Sequence, residues 1–216
     1  MRVQMALRLT ALVIGCMVAL GLPVGAADKP LQIVALGDSL TAGLGLESQD
    51  AFPAKLEKAL AAKGVVVAIS NAGVSGDTMS GGLARLDWSV PPGTDAVILE
   101  LGANDALRGT DPAVTRRALD AILQAFAKRK IPVLLCGMLA PRNLGSDYAR
   151  KFDAIFPDLA KTYGTVFYPF FLDGVATDRK LNQGDGLHPT AAGVNVIVAK
   201  ILPRVEELIA RAKAGH

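Results

Sequence analysis

Histidine is scarce in this chain of 216 residues, which contains only His188 and His216. His216 is the last residue, and chain termini are rarely held firmly enough to serve in an active site. Any mechanism that needs an imidazole base must therefore use His188. The same scarcity argues against a metalloenzyme, because its ligands would be almost entirely carboxylates and no carboxylate cluster stands out. We therefore expect no metal and no cofactor.

Cysteine and excess charge are lacking as well. The two cysteines are Cys16 and Cys136, and the apolar run around Cys136 is typical of a buried structural thiol. The 23 basic and 20 acidic residues nearly cancel, so the composition gives no electrostatic basis for binding nucleic acid. The motif G-x-x-x-x-G-K-[ST] is absent, and Gly43 and Gly45 lack the third glycine of a dinucleotide-binding loop. A nucleotide-binding module is therefore disfavoured.

The first 27 residues have the layout of a secretory signal peptide. Arg2 and Arg8 supply positive charge, residues 9–22 are uncharged and mostly apolar, and small residues follow. The apolar run is short for a membrane anchor, which takes about 20 residues. A lipoprotein signal ending at Cys16 is a second interpretation, disfavoured because apolar sequence continues past it. We predict cleavage near residue 27, secretion across the inner membrane and a periplasmic location.

Residues 28–216 are predicted to form one domain, because neither a repeat nor a low-complexity linker interrupts them. Continuous apolar runs typical of buried parallel strands recur at 31–36, 65–70, 96–101, 131–137 and 165–170. Segments with helical spacing lie at 52–64, 112–130, 146–164 and 189–213. We expect Pro157 to kink the third of these helices and Pro203 to break the fourth. The alternation predicts an α/β fold, a three-layer α/β/α sandwich with about five parallel strands.

Polar residues follow the first three of these apolar runs. Ser39 comes after the first run, Asn71 after the second and Asn104 after the third. In open parallel sheets, ligands bind beyond the carboxyl ends of the strands, near the point where the strand order reverses. We therefore expect a functional site at that edge of the sheet.

Ser39 stands in the sequence Gly-Asp-Ser-Leu-Thr at the end of the first apolar run. It is either a turn or cap residue, which is common for a serine in such a place, or a nucleophile. The stretch does not match the G-x-S-x-G elbow, and few residues precede it, so an ordinary α/β-hydrolase is disfavoured. We expect Asp38 to hold the turn through backbone hydrogen bonds rather than to act in catalysis.

His188 lies in a short polar stretch, Gly-Asp-Gly-Leu-His-Pro, with Asp185 three residues before it. Such a loop can fold the carboxylate back onto the imidazole Nδ1, which would orient the ring and stabilise its cationic form. Pro189 would begin the following helix and restrict the loop. The alternative is a loop histidine beside an aspartate that only caps backbone N–H groups.

Hydrogen-bond donors for a developing oxyanion are offered by two further segments. The glycine-rich stretch at 71–82 contains Gly76, whose backbone N–H no side chain would shield. Asn104 follows the third apolar run, and its side-chain amide can donate. Each has an ordinary alternative, because Gly76 is also suited to a turn and Asn104 to a helix cap.

Taken together, four segments resemble the four blocks of the SGNH/GDSL hydrolase family. They occur in the family's order and at similar spacing: GDSL with Ser39, SGDT with Gly76, GAND with Asn104, and DGLHP with Asp185 and His188. The wider sequence is most similar to the bacterial periplasmic esterases of the thioesterase I, lysophospholipase L1 and arylesterase group. Leu187 is a mild departure, because the family usually has isoleucine before the histidine.

The resemblance implies a flavodoxin-like sandwich and a catalytic triad of Ser39, His188 and Asp185. It also implies an oxyanion hole formed by the Ser39 N–H, the Gly76 N–H and the side chain of Asn104. The loop at 104–112 resembles one that lines the acyl pocket in this group. Leu107 is therefore a candidate substrate contact, with a core leucine as the alternative.

The activity implied is hydrolysis of acyl esters and thioesters, such as aryl esters, acyl-CoA and lysophospholipids, through an acyl-enzyme. The expected partners are small-molecule or lipid acyl esters, with transient contact to membrane lipids. A carbohydrate O-acetylesterase on the same scaffold is one alternative. A ligand-binding module without catalysis is another, but no residue of the four blocks is missing.

Overall fold

A five-stranded parallel sheet forms the centre of residues 29–215, the part of the chain described by the computed structural model. The strand order is β2-β1-β3-β4-β5, the doubly wound order of flavodoxin-like proteins. The strands are β1 (Leu31–Gly37), β2 (Val67–Gly73), β3 (Ala96–Glu100), β4 (Val133–Cys136) and β5 (Val166–Tyr168). The predicted signal peptide, Cys16 and His216 lie outside the described residues. The predicted α/β fold with five parallel strands is confirmed.

The register brings the ends of three neighbouring strands together. Gly37, the last residue of β1, lies opposite Gly73 on one side and Glu100 on the other. The chain passes from β1 to β2 on one side and later to β3 on the other, so the strand order reverses at β1. The crevice beyond the carboxyl ends of these strands is where a ligand is expected. The sheet therefore fixes the location of a site next to Ser39.

The second strand begins and ends later than the sequence predicted. Val65 donates its backbone N–H to the carbonyl of Leu60 at 3.0 Å, so it still belongs to the turn that ends the preceding helix. As a result, Asn71 lies inside β2 instead of following it. Its Oδ1 accepts the N–H of Gly73 at 3.0 Å, and its Nδ2 donates to the Ala42 carbonyl at 3.4 Å. Asn71 therefore supports the backbone at the sheet edge.

Helices cover the two faces of the sheet. On one face α2 packs on α9, and on the other α6 packs on α3 and α8. The helices are α1 (Ser39–Ala42), α2 (Phe52–Ala62), α3 (Met79–Ala84), α4 (Leu86–Ser89), α5 (Ala103–Leu107), α6 (Pro112–Lys128), α7 (Ser146–Asp153), α8 (Ile155–Tyr163) and α9 (Ala191–Ala214). None of the helices within residues 29–215 is both long and apolar enough to cross a bilayer.

Pro157 and Pro203 affect their helices differently. The predicted helix at 146–164 is divided at Ala154 into α7 and α8, three residues before Pro157. Proline lacks the N–H that would bond to the carbonyl four residues earlier, so the break falls where that bond is missing. The predicted break at Pro203 is wrong, because α9 runs through it. Ile201 and Val205 beside it are fully buried, so packing on the sheet holds the helix together.

The central strands are apolar and inaccessible, as their continuous hydrophobic sequence predicts. Every residue of β3 and β4 is buried, including the free thiol of Cys136. Burial raises the pKa of Cys136 well above its ordinary value, and nearby Glu100 adds to the effect. The thiol is therefore a packing element of the core.

Candidate active site

The turn after β1 places Ser39 at the beginning of α1. Asp38 caps this four-residue helix, and its Oδ1 accepts the N–H of Leu40 at 2.9 Å. Gly37 has no room for a side chain, because a Cβ there would overlap the hydroxyl of Thr41. The strand therefore turns sharply into the helix and leaves the Ser39 side chain facing a cavity that it helps to line.

Ser39, His188 and Asp185 are linked by hydrogen bonds in one line. The Oγ of Ser39 lies 2.8 Å from Nε2 of His188, although 149 residues separate them. On the other side of the ring, Nδ1 of His188 lies 2.6 Å from Oδ2 of Asp185. The three residues that the sequence singled out are thus brought together in hydrogen-bonded order.

The loop at 182–190 is folded so that Asp185 contacts both the ring and the backbone of His188. Asp185 Oδ1 accepts the N–H groups of Leu187 at 2.9 Å and His188 at 3.0 Å. The hydrogen bond from the His188 ring, followed by these backbone bonds, holds the pKa of Asp185 well below its ordinary value. The two interpretations of Asp185 are therefore compatible, since one carboxylate caps the loop and contacts the imidazole.

Gly76 occupies the turn that follows β2. The N–H of Asp77 donates to the carbonyl of Val74 at 3.0 Å, and Gly76 has φ +82°. A positive φ at the third position is the geometry of a type II turn, which strongly favours glycine. Arg108 holds the Gly76 carbonyl from the solvent side with a 2.8 Å hydrogen bond.

Asn104 lies in the short helix α5, beyond the carboxyl end of β3. Its Nδ2 donates to Oδ2 of Asp38 at 3.1 Å, which fixes the orientation of the amide and leaves its second hydrogen free to donate elsewhere. Asp38 therefore does more than cap α1, because it also orients the amide next to Ser39. Burial raises the pKa of Asp38 from 3.8 to about 6, against the opposing effect of its hydrogen bonds.

Glu100 is a second buried carboxyl group under the Ser39 turn, and sequence reasoning missed it. It is 0% exposed, and its Oε2 accepts the hydroxyl of Thr41 at 2.8 Å and the N–H of Asp38 at 3.4 Å. Desolvation, together with the charge of Asp38, raises the pKa of Glu100 well above its ordinary value. A carboxylate at the end of an otherwise apolar strand was the signal available in the sequence.

A cavity of about 510 Å³ opens beside this hydrogen-bonded line. Ser39, Asn104 and His188 lie at its wall, whereas Gly76 is not part of its lining. Most of the remaining wall is apolar and comes from Leu40, Ala103, Ala106, Leu107, Met138, Leu139, Ala140, Pro141, Phe170, Leu172, Ala176 and Leu187. Leu107 is 51% exposed, so it is a cavity-lining residue rather than a core leucine. The residues after β4 and β5 were not singled out from the sequence.

The sequence profile of the GDSL-like Lipase/Acylhydrolase family matches residues 35–196, which include every predicted site residue. The chain belongs to this family. It is also 36% identical over 196 residues to Esterase TesA of Pseudomonas aeruginosa, a match that covers 90% of this chain and 96% of that protein. The Escherichia coli K12 protein named Thioesterase 1/protease 1/lysophospholipase L1 is 39% identical over 158 residues, 73% of this chain and 74% of that protein.

The solved structures agree with the sequence relatives. The esterase AlinE4, described as a member of the SGNH-hydrolase family, superimposes with a TM-score of 0.72 at 46% identity, covering 84% of this chain and 98% of that one. The predicted resemblance to GDSL/SGNH enzymes is thereby confirmed. The protein is accordingly a carboxylic ester hydrolase of the GDSL type.

Proposed function

We propose that the protein is a serine esterase that cleaves acyl esters and thioesters through a triad of Ser39, His188 and Asp185. The observation that carries this proposal is the 2.8 Å contact between Ser39 Oγ and His188 Nε2, continued by the 2.6 Å contact to Asp185. A nucleophile within hydrogen-bond reach of a base that a third group orients is the arrangement required for nucleophilic acyl transfer.

The reaction begins when His188 removes the proton of Ser39 as Oγ attacks the carbonyl carbon of the substrate. The Asp185 carboxylate keeps Nδ1 protonated and stabilises the imidazolium that forms. His188 then gives the proton to the departing alcohol or thiol, which leaves an acyl group on Ser39. Water, deprotonated by the same imidazole, attacks this acyl-enzyme and releases the carboxylic acid.

The negative charge that develops on the carbonyl oxygen is assigned to three donors, namely the Ser39 N–H, the Gly76 N–H and the Asn104 amide. Support comes from the location of Ser39 at a helix start and of Asn104 at the cavity wall. Because Asp38 occupies one hydrogen of the Asn104 amide, the amide is oriented before substrate arrives. Donors oriented in advance stabilise a transition state without reorganisation.

The acyl chain is proposed to lie in the apolar cavity, with Leu107 as one of its contacts. The lining is mostly apolar and suited to hydrocarbon, and it includes a few polar groups, among them Ser39, Asn104 and His188, which is the usual composition of a small-molecule site. Aryl esters, acyl-CoA and lysophospholipids all present an acyl group of this kind. Leu107, Leu139 and Leu187 are exposed at the cavity, so transient contact with membrane lipids would cover them.

The first 27 residues are proposed to act as a signal peptide that directs the enzyme to the periplasm. The arginines before an apolar run and the small residues after it support this assignment. Attachment through a lipid at Cys16 is the minor alternative. Intact-mass measurement of the protein from both the membrane and the membrane-free fractions separates the two, because a lipidated Cys16 would add mass and retain the protein with membranes.

A carbohydrate O-acetylesterase is the alternative reaction for the same residues. The apolar lining of the cavity favours a hydrocarbon acyl chain over a sugar. Rates on p-nitrophenyl esters of increasing chain length, compared with acetyl release from acetyl-xylan, decide between them. Faster release from acetyl-xylan would overturn the proposed acyl specificity.

The triad itself is tested with a fluorophosphonate and intact-mass spectrometry of the purified protein. We expect one adduct, mapped to Ser39 by peptide sequencing, and none in His188→Ala. A folded wild-type protein that forms no adduct would favour a ligand-binding module and would overturn the catalytic assignment.

A further inference from the structure

The side chain of Arg85 is buried beneath the turn that carries Gly76, and the proposed mechanism does not use it. Arg85 lies between the short helices α3 and α4. Only 7% of the residue is exposed, which is unusual for an arginine side chain. The guanidinium makes four hydrogen bonds. Its Nε donates to Asp77 Oδ2 at 2.7 Å, its Nη1 to the Ala72 carbonyl at 2.9 Å and Ser89 Oγ at 2.8 Å, and its Nη2 to the Gly37 carbonyl at 2.8 Å.

These bonds join the end of β1, which leads to Ser39, to the turn that contains Gly76, and the proposed reaction needs the two at a fixed distance. Gly37 is the last residue of β1, two residues before Ser39. Asp77 directly follows Gly76 and closes its turn by donating to the Val74 carbonyl. One planar cation therefore spans the backbone that delivers the nucleophile and the turn that offers an oxyanion donor.

The carboxylate of Asp77 is itself fixed on both oxygens. Oδ2 pairs with Arg85, while Oδ1 accepts the N–H of Thr78 at 3.1 Å. A Cβ on Gly81 would overlap Asp77 Oδ1, so α3 approaches closely enough to confine the carboxylate. Both partners of the pair are largely buried, with 9% and 12% of their side chains exposed.

The Gly76 turn also accepts a hydrogen bond from a second arginine, which is exposed to solvent rather than buried. Arg108 bonds to the Gly76 carbonyl from an exposed position, where water can replace it at little cost. Arg85 works from the protein interior, where its loss leaves Asp77 Oδ2 without its charged donor and leaves the Gly37 carbonyl with the Val74 N–H, at 3.0 Å, as its remaining donor. The backbone bond from Val74 to Gly37 joins the start of the turn to β1, and the buried Arg85 contact joins the other end of the turn, at Asp77, to the same carbonyl.

We infer that Arg85 is a positioning residue, which holds the Gly76 turn at the correct distance from Ser39 through Asp77 and the Gly37 carbonyl. The inference rests on the proposed function, because it assigns Arg85 to the oxyanion side of that reaction. An interaction realised mainly in the transition state lowers kcat when it is lost and leaves KM almost unchanged. Lysine cannot replace the planar fork, since one ammonium cannot reach acceptors in these several directions.

The test compares Arg85→Ala and Arg85→Lys with wild type on a p-nitrophenyl ester. Active sites are counted by fluorophosphonate titration, so that kcat is expressed per folded, reactive site. We expect kcat per site to fall about tenfold or more in both variants, with KM within about threefold, as for a weakened oxyanion donor. Guanidinium at a non-denaturing concentration should restore part of kcat in Arg85→Ala, whereas sodium chloride of equal ionic strength should not.

Two further variants keep the inference testable if Arg85→Ala fails to fold. Asp77→Ala removes the link to the turn but leaves Arg85 bonded to Gly37, Ala72 and Ser89, and we expect a similar loss of kcat per site without rescue by guanidinium. Arg116→Ala is the control, because Arg116 forms only an exposed pair with Asp158, and it should match wild type.

The outcomes separate a positioning role from a structural one. If folded Arg85→Ala or Asp77→Ala keeps wild-type kcat per site, or if only the number of sites falls, the inference is wrong. Wild type that forms no Ser39 adduct would instead refute the proposed function. The failure of one proposal is therefore distinguishable from the failure of the other.

Discussion

The two sides of the Ser39–His188 hydrogen bond differ in how deeply their supporting carboxyl groups are buried. The serine turn (residues 37–41) rests on two carboxyl groups, Asp38 and Glu100, that are both 0% exposed. The histidine loop (residues 182–190) carries its carboxylate, Asp185, with 45% of the side chain exposed. Burial raises the pKa values of the first two groups, whereas hydrogen bonds from His188 and its loop lower that of Asp185.

The difference shows that the same residue type serves two purposes in one site. Near the solvent, a carboxylate that is fully hydrogen-bonded stays ionised and can hold an imidazolium. In the interior, a carboxyl group resists ionisation and serves as a hydrogen-bonding support for a tight turn. We therefore expect the stability of the serine turn to depend on pH, whereas the ionised state of Asp185 depends on its hydrogen bonds to His188 and the loop.

The largest expected effect on activity comes from removing the proposed base. His188→Ala should lower kcat/KM by about 10⁴-fold or more, because the described residues offer no other imidazole and triad losses are of this size. Initial rates on a short p-nitrophenyl ester measure the effect, with circular dichroism as the check on folding. Retention of more than about a tenth of the activity would contradict the triad.

A smaller loss of kcat is expected from Asp185→Asn, which tests the exposed carboxylate of the histidine loop. The amide keeps the size of the side chain but favours the wrong tautomer of His188, so kcat should fall by about 10²–10³-fold. The loss should be less than for a buried aspartate, because water can reach this exposed position. A variant with more than half of the wild-type kcat would show that Asp185 only caps the loop.

The buried side is tested through stability rather than rate. Glu100 has a raised pKa in the folded protein, so its contribution to stability is complete below its unfolded pKa and is lost as the pH rises through the folded value. Asp38 acts in the same direction between about pH 4 and pH 6. Glu100→Gln removes the ionisable group and keeps an oxygen for the Thr41 hydroxyl.

We therefore expect Glu100→Gln to match wild type near pH 4 and to melt at a higher temperature at pH 8. The gain should be about 2–4 °C for each kcal/mol of relieved desolvation. Differential scanning calorimetry at both pH values measures it, with the exposed Glu47→Gln as control. A lower Tm for Glu100→Gln at pH 8 would mean that the ionised carboxylate stabilises the turn.

The smallest expected effect concerns the cavity. Leu107→Ala should raise KM a few-fold for a long-chain ester and leave acetate esters unchanged, because only a long chain would reach this apolar wall. Val66→Ala, an exposed substitution directly before β2 and outside the cavity lining, is the matched control. Equal effects of Leu107→Ala on long and short esters would remove Leu107 from the acyl site.

Much of the site could be predicted because its residues lie in short, local patterns. Ser39 follows an apolar run directly, and Asp185 lies three residues before His188, so local geometry brings each to its position. The sheet order then joins them, since β1 lies at the point where the order reverses. The strands were predictable for the same reason, because buried parallel strands have continuous apolar sequence.

The features that sequence reasoning missed depend on contacts between distant segments. Glu100 and Arg85 occur in ordinary strand and helix sequence, and only their partners Asp38, Asp77 and Gly37 give them a role. Pro203 was misjudged for a similar reason. Its intrinsic tendency to break a helix is overcome by tertiary packing of α9, which the chain's local pattern does not reveal.

The position of His188 just before α9 means that the two halves of the reacting pair lie near opposite ends of the described chain, 149 residues apart. During synthesis Ser39 emerges early, but the proposed base, His188, follows 149 residues later. On the proposed mechanism, we therefore expect esterase activity to appear late in synthesis and folding. A chain that stops before Asp185 would contain Ser39 and lack the other two residues of the proposed triad, so on this mechanism the appearance of activity would report that nearly the whole described chain has been made.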